Sequence, residues 1–171
     1  PGIVGGAETL ARGLAERLAA GGGCVTVFTA CAENHFTWEN VLPEGESRLS
    51  GVSVRRFLNN PRDLDRFNAI QGRIGEGLRT TMDEQIEWLS EGVTSDALLC
   101  ALVREKERFD AVVLLPYLFG TTFWAARVAP ERAILAPCLH DEPFARLHVF
   151  RILFEGVRGF FTAPLAYRAA H

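Results

Sequence analysis

A basic surplus is missing from this chain: Lys plus Arg number 18 against 21 Asp plus Glu, a formal net charge of −3. Nucleic-acid-binding modules normally carry a positive excess that answers the phosphates, so no nucleic-acid partner is expected. Long hydrophobic runs are lacking too. The longest unbroken apolar stretch, Ala111 to Phe119, is about half of what a membrane-spanning helix needs. The cysteines Cys24, Cys31, Cys100 and Cys138 show no CxxC spacing, which argues against zinc and against a disulfide framework. Three of the four lie within apolar segments, so buried free thiols in a reducing compartment are expected. An initiator Met, a signal-peptide hydrophobic region and a targeting pattern are also absent at Pro1-Gly2. The stretch Gly2 to Gly6 reads as a loop running into a helix, and the chain is expected to be a fragment with polypeptide in front of Pro1.

What is present is an ordinary globular composition. The 171 residues are 48% apolar, which suits one domain over 1–171 with its own core. Ala7, Leu10, Ala11, Leu14, Ala15 and Leu18 fall on one helical face, and Gly21-Gly22-Gly23 ends that helix. Cys24 to Thr29 is a β-rich run, and Val52 to Phe57 a second strand approached by a loop from Gly45 to Gly51. Pro61 to Glu91 carries apolar residues every three or four positions, weakened by Gly72, Gly75 and Gly77, which predicts two helices or a kinked one. Thr94-Ser95-Asp96 should cap a helix reaching about Arg108. Asp110 to Leu115 is the clearest buried strand, followed by helix to Arg127. Arg132 to Ala136 reads as a strand, Phe144 to Glu155 as a helix, Gly159 to Thr162 as a short strand, and Pro164 opens a terminal helix. Strands alternating with helices imply an α/β fold, a Rossmann-like, doubly wound and mostly parallel sheet. In such sheets ligands sit beyond the C-terminal strand ends. Gly5-Gly6, Pro116-Tyr117 and His140-Asp141-Glu142 should all lie at that edge.

Two readings stand for each group of residues. Gly5 and Gly6 at a helix start let backbone N–H groups approach an anion such as a diphosphate, or simply make a tight turn. Glu8 suits the positive helix end either way. His140 could exchange a hydrogen bond with a sugar hydroxyl or a leaving-group oxygen, with Asp141 orienting it; alternatively, Asp141 or Glu142 caps the next helix. His140, Asp141, Glu142 and His148 do not match common ligand spacing, and no metal is expected. Tyr117, Phe119, Thr121 and Trp124 after the central strand, and the loop Phe36 to Asn40, either stack on a sugar face or pack in the core. His35 and His171 read as surface residues.

The segments GGAETLARGLAERLAAGGGCVTVFT, FDAVVLL and ERAILAPCLHDEPF together resemble the N-terminal domain of GT-B glycosyltransferases of the family-four type. The resemblance covers Pro1 to Tyr167 and implies one half of a two-domain fold whose first strand precedes Pro1. It also implies a retaining, metal-independent hexosyl transfer in glycan biosynthesis, from a nucleotide-sugar to a glycan, lipid-linked or other small acceptor. No cofactor is then expected, and the setting is cytoplasmic or peripheral at the inner membrane face. By that resemblance Gly5 and Gly6 approach the donor diphosphate and His140 sits near the transferred sugar, as the catalytic residue. Glu8, Tyr117, Asp141 and Glu142 are the cleft and acceptor-side candidates. The partner C-terminal domain, which binds most of the donor, lies outside the chain, so residues 1–171 alone should be inactive. Gly23-Cys24 replaces the family's Gly-His, and Pro116-Tyr117 replaces a His found in many relatives. The competing expectation is a Rossmann-like domain that binds a nucleotide or sugar phosphate with no catalysis, or with a different chemistry.

Overall fold

A computed structural model describes residues 5–34 and 36–161. Helix α1 (Gly6–Ala20) leads to strand β1 (Thr26–Ala30), a hairpin of β2 (Gly45–Leu49) and β3 (Val52–Phe57), and helices α2 (Leu64–Gly75), α3 (Met82–Ser90) and α4 (Asp96–Glu105). Strand β4 (Val112–Leu114), helix α5 (Gly120–Val128), strand β5 (Ala133–Leu135), helix α6 (His148–Gly156) and strand β6 (Gly159–Phe160) follow. The expected terminal helix from Pro164, and the surface positions given to His35 and His171, lie outside the described residues.

The strands form two three-stranded sheets, ordered β1-β3-β2 and β4-β5-β6. β1 and β3 are parallel, with Val27 opposite Val54, and β4, β5 and β6 are parallel, with Val113 opposite Ile134. The chain is therefore mixed α/β with small, largely parallel sheets. The core gathers around the second sheet, where α3, α5 and α6 bury Leu89, Phe123 and Phe150 against Tyr117 and Leu135.

Several expectations change. The approach loop from Gly45 to Gly51 is in fact strand β2, paired antiparallel with β3 through a turn in which Ser50 (φ 51°) and Gly51 (φ 81°) are both left-handed. That turn twists with the strands as hairpins require. β2 escapes a hydrophobic reading because all five of its residues are exposed. The helix expected over Phe144 to Glu155 is broken at Leu147, whose extended backbone (ψ 148°) separates the 3-10 turn Pro143–Arg146 from α6. The first strand starts two residues late, at Thr26 rather than Cys24. All four cysteines are free, but only Cys31 is buried, whereas Cys24 and Cys100 are exposed. Cys24 falls between the helix-ending glycines and the strand, where nothing covers it, and Cys100 sits on the solvent side of α4.

Ser95 caps α4 as its sequence position suggests. Its hydroxyl accepts from the Leu98 N–H at 3.3 Å and donates to the Leu58 carbonyl at 2.7 Å, tying α4 to the end of β3. Ser95→Ala removes both bonds at a buried position and should lower stability by about 1–2 kcal/mol, read as a reduced urea midpoint. An unchanged midpoint would mean that the cap carries no weight.

Candidate functional site

The loops that follow the parallel strands gather at one edge. Trp38, after β1, packs edge-to-face on Phe119, after β4, at 4.8 Å between ring centres. The Tyr117 N–H, also after β4, donates to the Pro137 carbonyl after β5 at 3.2 Å. The first turn of α1 is felt electrostatically in the loop after β5. Burial raises the Cys138 thiol pKa, and the negative charge of Glu8, in that turn, raises it further. This is the edge at which open parallel sheets place their ligands.

At the start of α1, Gly5 is the N-cap with extended backbone (φ −101°) and no side-chain cap. Both glycines keep ordinary negative φ, so neither is demanded by the backbone. A Cβ built on Gly6 would meet nothing within 4 Å, which leaves the helix N-terminus open on that side. A Cβ on Gly5 would collide with the Glu8 carboxylate. Glu8 folds back over the N-cap and itself supplies the negative charge that the helix end favours. An arriving anion has to displace it.

After β5 the chain turns at Cys138, whose φ of 54° is left-handed. A non-glycine residue there stores backbone strain of about 1–3 kcal/mol, a feature that clusters at ligand sites. His140 and Asp141 follow, both exposed. Asp141 pairs with Arg146 at 3.0 Å, with 93% and 78% of the two side chains open to solvent, so that ion pair is worth little. Glu142 accepts a bond of 2.6 Å from the Tyr117 hydroxyl. Neither acidic residue caps a helix: the N-cap of α6 is Leu147, and Glu142 makes no capping bond to the 3-10 turn. The helix-capping reading of this loop is thereby replaced. Its carboxylates look to Arg146 and Tyr117 instead.

Tyr117 departs from the expectation that it faces the cleft. Its ring is 1% exposed and packs edge-to-face on Phe150 at 4.7 Å, with the hydroxyl reaching out to Glu142. Burial first, and then the Glu142 carboxylate, push the phenol far above its usual range, so it stays a donor at any working pH. Its role is to fix Glu142 at the edge. Tyr117→Phe keeps the packing and deletes that bond, and should lower stability by about 0.5–1.5 kcal/mol, measurable by urea unfolding. A loss above that range would show that the ring, not the bond, had been disturbed.

Beside these groups lies a cleft of about 560 Å³ with aromatic walls. Trp38 and Phe119 form one side, and Phe67 stacked on Trp88 at 6.0 Å forms another. The Arg62 guanidinium lies over Phe67 at 4.8 Å and donates to the Glu91 carbonyl at 2.8 Å. Desolvation lowers its pKa, partly offset by the nearby charge of Glu91. Trp38 is itself left-handed (φ 55°), held by its N–H donating to the Asn34 carbonyl and by Asn59 donating to its own carbonyl. Asn40 and Asn59 exchange two further bonds, at 2.8 and 3.1 Å, that clamp the loop after β1 to the end of β3. Asn68 and Gln71 bring side-chain amides to the lining. Flat aromatic faces with amides and a guanidinium around them suit a polar ligand that also presents an apolar face, as sugar rings do.

Sequence reasoning singled out Trp38 and Phe119 but missed Arg62, Phe67 and Trp88. Phe67 reads as one position of a helical stripe, Arg62 and Trp88 carry no pattern of their own, and only the fold turns all three towards the cleft. Among the described residues, no group of three or more His, Cys, Asp or Glu could hold a metal ion, and no helix is long and apolar enough to cross a membrane. No protein-family model, curated protein or solved structure matches the chain.

Proposed function

We propose that this chain is the acceptor-side, Rossmann-like domain of a retaining glycosyltransferase of the GT-B kind. The observation that carries the reading is the open N-terminus of α1, where a Cβ on Gly6 would meet nothing within 4 Å. A helix end of that kind can take an anion, and His140, exposed in the loop after β5, is the group that would meet the sugar. In this reading the donor diphosphate displaces Glu8 and accepts hydrogen bonds from the free N–H groups after Gly5. His140 bonds the transferred sugar as positive charge grows on its ring, and Glu142, steadied by Tyr117, helps to orient a hydroxyl. The aromatic cleft takes the acceptor, a glycan or a lipid-linked sugar. Most of the nucleotide is held by a second domain.

The experiment is Gly6→Val in the native polypeptide that contains this chain. The space beside Gly6 is open, so the variant should fold, while its branched side chain stands where the phosphate must approach. Donor use should be lost with the melting temperature unchanged. Wild-type affinity for the nucleotide-sugar would leave Gly5-Gly6 as a turn.

A second reading, a domain that binds a nucleotide or sugar phosphate without transferring anything, is favoured by one observation. Among the described residues no hydrogen bond orients His140, and general acid–base groups are normally held by a third partner. Binding of a nucleotide-sugar with no turnover by the native polypeptide would support that reading.

A further inference from the structure

We propose that the aromatic cleft is a site for a sugar acid, a pyranose whose carboxylate pairs with Arg62 while its ring lies against Trp38 and Phe119. The proposal rests on the reading of that cleft as a sugar site and narrows it to rings that carry one negative charge.

Arg55, Arg66, Arg73 and Arg132 each pair with a glutamate. Arg62 has no carboxylate within ion-pair distance among the described residues, although it is only partly exposed and desolvation lowers its pKa. Its guanidinium is nevertheless held at two points. It lies over the Phe67 ring at 4.8 Å, and its Nε donates to the Glu91 carbonyl at 2.8 Å. The Glu91 carboxylate is near enough to be felt as a charge, yet it accepts from the Asp63 N–H at 2.6 Å instead of closing on the guanidinium. Nη1 reaches the Thr37 carbonyl only at 3.5 Å, beyond the usual range of a hydrogen bond. Nη2 has no acceptor among the described residues. The outer fork is thus fixed in place and left open, the geometry that takes a carboxylate through two parallel bonds.

Charge decides between anions. Arg62 is the sole cation among the described residues that line the cleft, and exposed Glu39 is the sole acid. One guanidinium balances a monoanionic carboxylate. A phosphate near its dianionic form would keep an unanswered charge and would face Glu39 as well.

Shape and polarity decide the body of the ligand. Trp38 is half-buried and meets Phe119 edge-to-face at 4.8 Å, so the two rings offer apolar surface to the cleft. Asn59 donates to the Trp38 carbonyl at 3.0 Å and helps to hold its left-handed backbone, so this wall is set before a ligand arrives. Gln71 accepts from the Trp88 indole N–H through its carbonyl oxygen, which leaves its NH2 group as a donor, and Asn68 adds a second amide to the lining. Amides answer hydroxyls, which a plain aromatic acid lacks. A hydroxylated ring with one apolar face and one carboxylate satisfies all of these groups.

The test titrates the protein with methyl glucuronoside, methyl glucoside, a glucose phosphate and benzoate, following the indole N–H resonances by NMR. Trp38 reports on the cleft, and Trp124, which is outside its lining, is the internal control. The glucuronoside should shift the Trp38 signal and bind about 10- to 100-fold more tightly than the glucoside, as a bidentate charge-assisted pair should. Arg62→Gln should erase that margin, so that acid and neutral sugar bind alike. If the variant fails to fold, the margin between the two glycosides in the unaltered protein still decides. Equal binding of the two would overturn the proposal and leave a neutral-sugar site. Tighter binding of the glucose phosphate or of benzoate than of the glucuronoside would overturn it as well, as would shifts confined to Trp124. Absence of binding by every probe would remove the sugar reading of the cleft along with it. No donor is needed, so each outcome stands apart from glycosyl transfer.

Discussion

Trp88→Ala should destabilise the protein by about 3–5 kcal/mol, the largest loss expected from any single substitution here. The indole is 3% exposed and sits at the meeting point of three rings: stacked on Phe67 at 6.0 Å and on Phe144 at 5.5 Å, and edge-on to Phe150 at 6.0 Å. Its N–H reaches the Gln71 side-chain carbonyl at 3.4 Å. Truncation removes the apolar burial and leaves a cavity between α2, α3 and α6 that rigid neighbours fill only in part. It also removes a wall of the aromatic cleft. Chemical unfolding measures the first effect. Trp88→Phe should recover most of the stability, since ring packing is largely kept and only the edge bond is lost. A loss below about 1 kcal/mol for the alanine variant would mean that this junction is loosely packed.

His140→Ala should act on rate instead. The residue is exposed, so its removal opens no cavity, and the melting temperature should stay nearly constant. If the imidazole bonds the reacting sugar, its loss removes about 2–4 kcal/mol of transition-state stabilisation. Turnover by the native polypeptide should then fall about 30- to 1,000-fold. Normal turnover would make His140 an exposed residue of a connecting loop with no part in the chemistry.

The elements that carried strong periodicity were legible in the sequence. The stripe from Ala7 to Leu18 became α1, Val52 to Phe57 is a strand with the same bounds, and Ser95 caps α4. Elements lacking an apolar signature were not. β2 owes its existence to the Ser50-Gly51 turn and to pairing with β3, two features that hydrophobic pattern does not encode. The break at Leu147 is likewise tertiary, because Leu147 is buried and its extended backbone lets α6 settle on the core. For the candidate site, the loops after β4 and β5 meet through the Tyr117 N–H and the Pro137 carbonyl, as residues that follow neighbouring parallel strands should. Sequence position could not tell that the Tyr117 ring faces inwards with only its hydroxyl at Glu142, since an aromatic after a central strand fits either side equally well. Nor could it separate the side of the α2–α3 stripe that lines the cleft from the side that fills the core.

The most direct measurement of the proposed chemistry is proton NMR of the native polypeptide incubated with a panel of nucleotide-sugars and simple sugar acceptors. The expected result is consumption of one donor and the appearance of a glycoside whose anomeric coupling matches that of the donor, with residues 1–171 alone inactive under the same conditions. Persistence of every donor, or a product of inverted configuration, would contradict the assignment of this domain to a retaining glycosyltransferase.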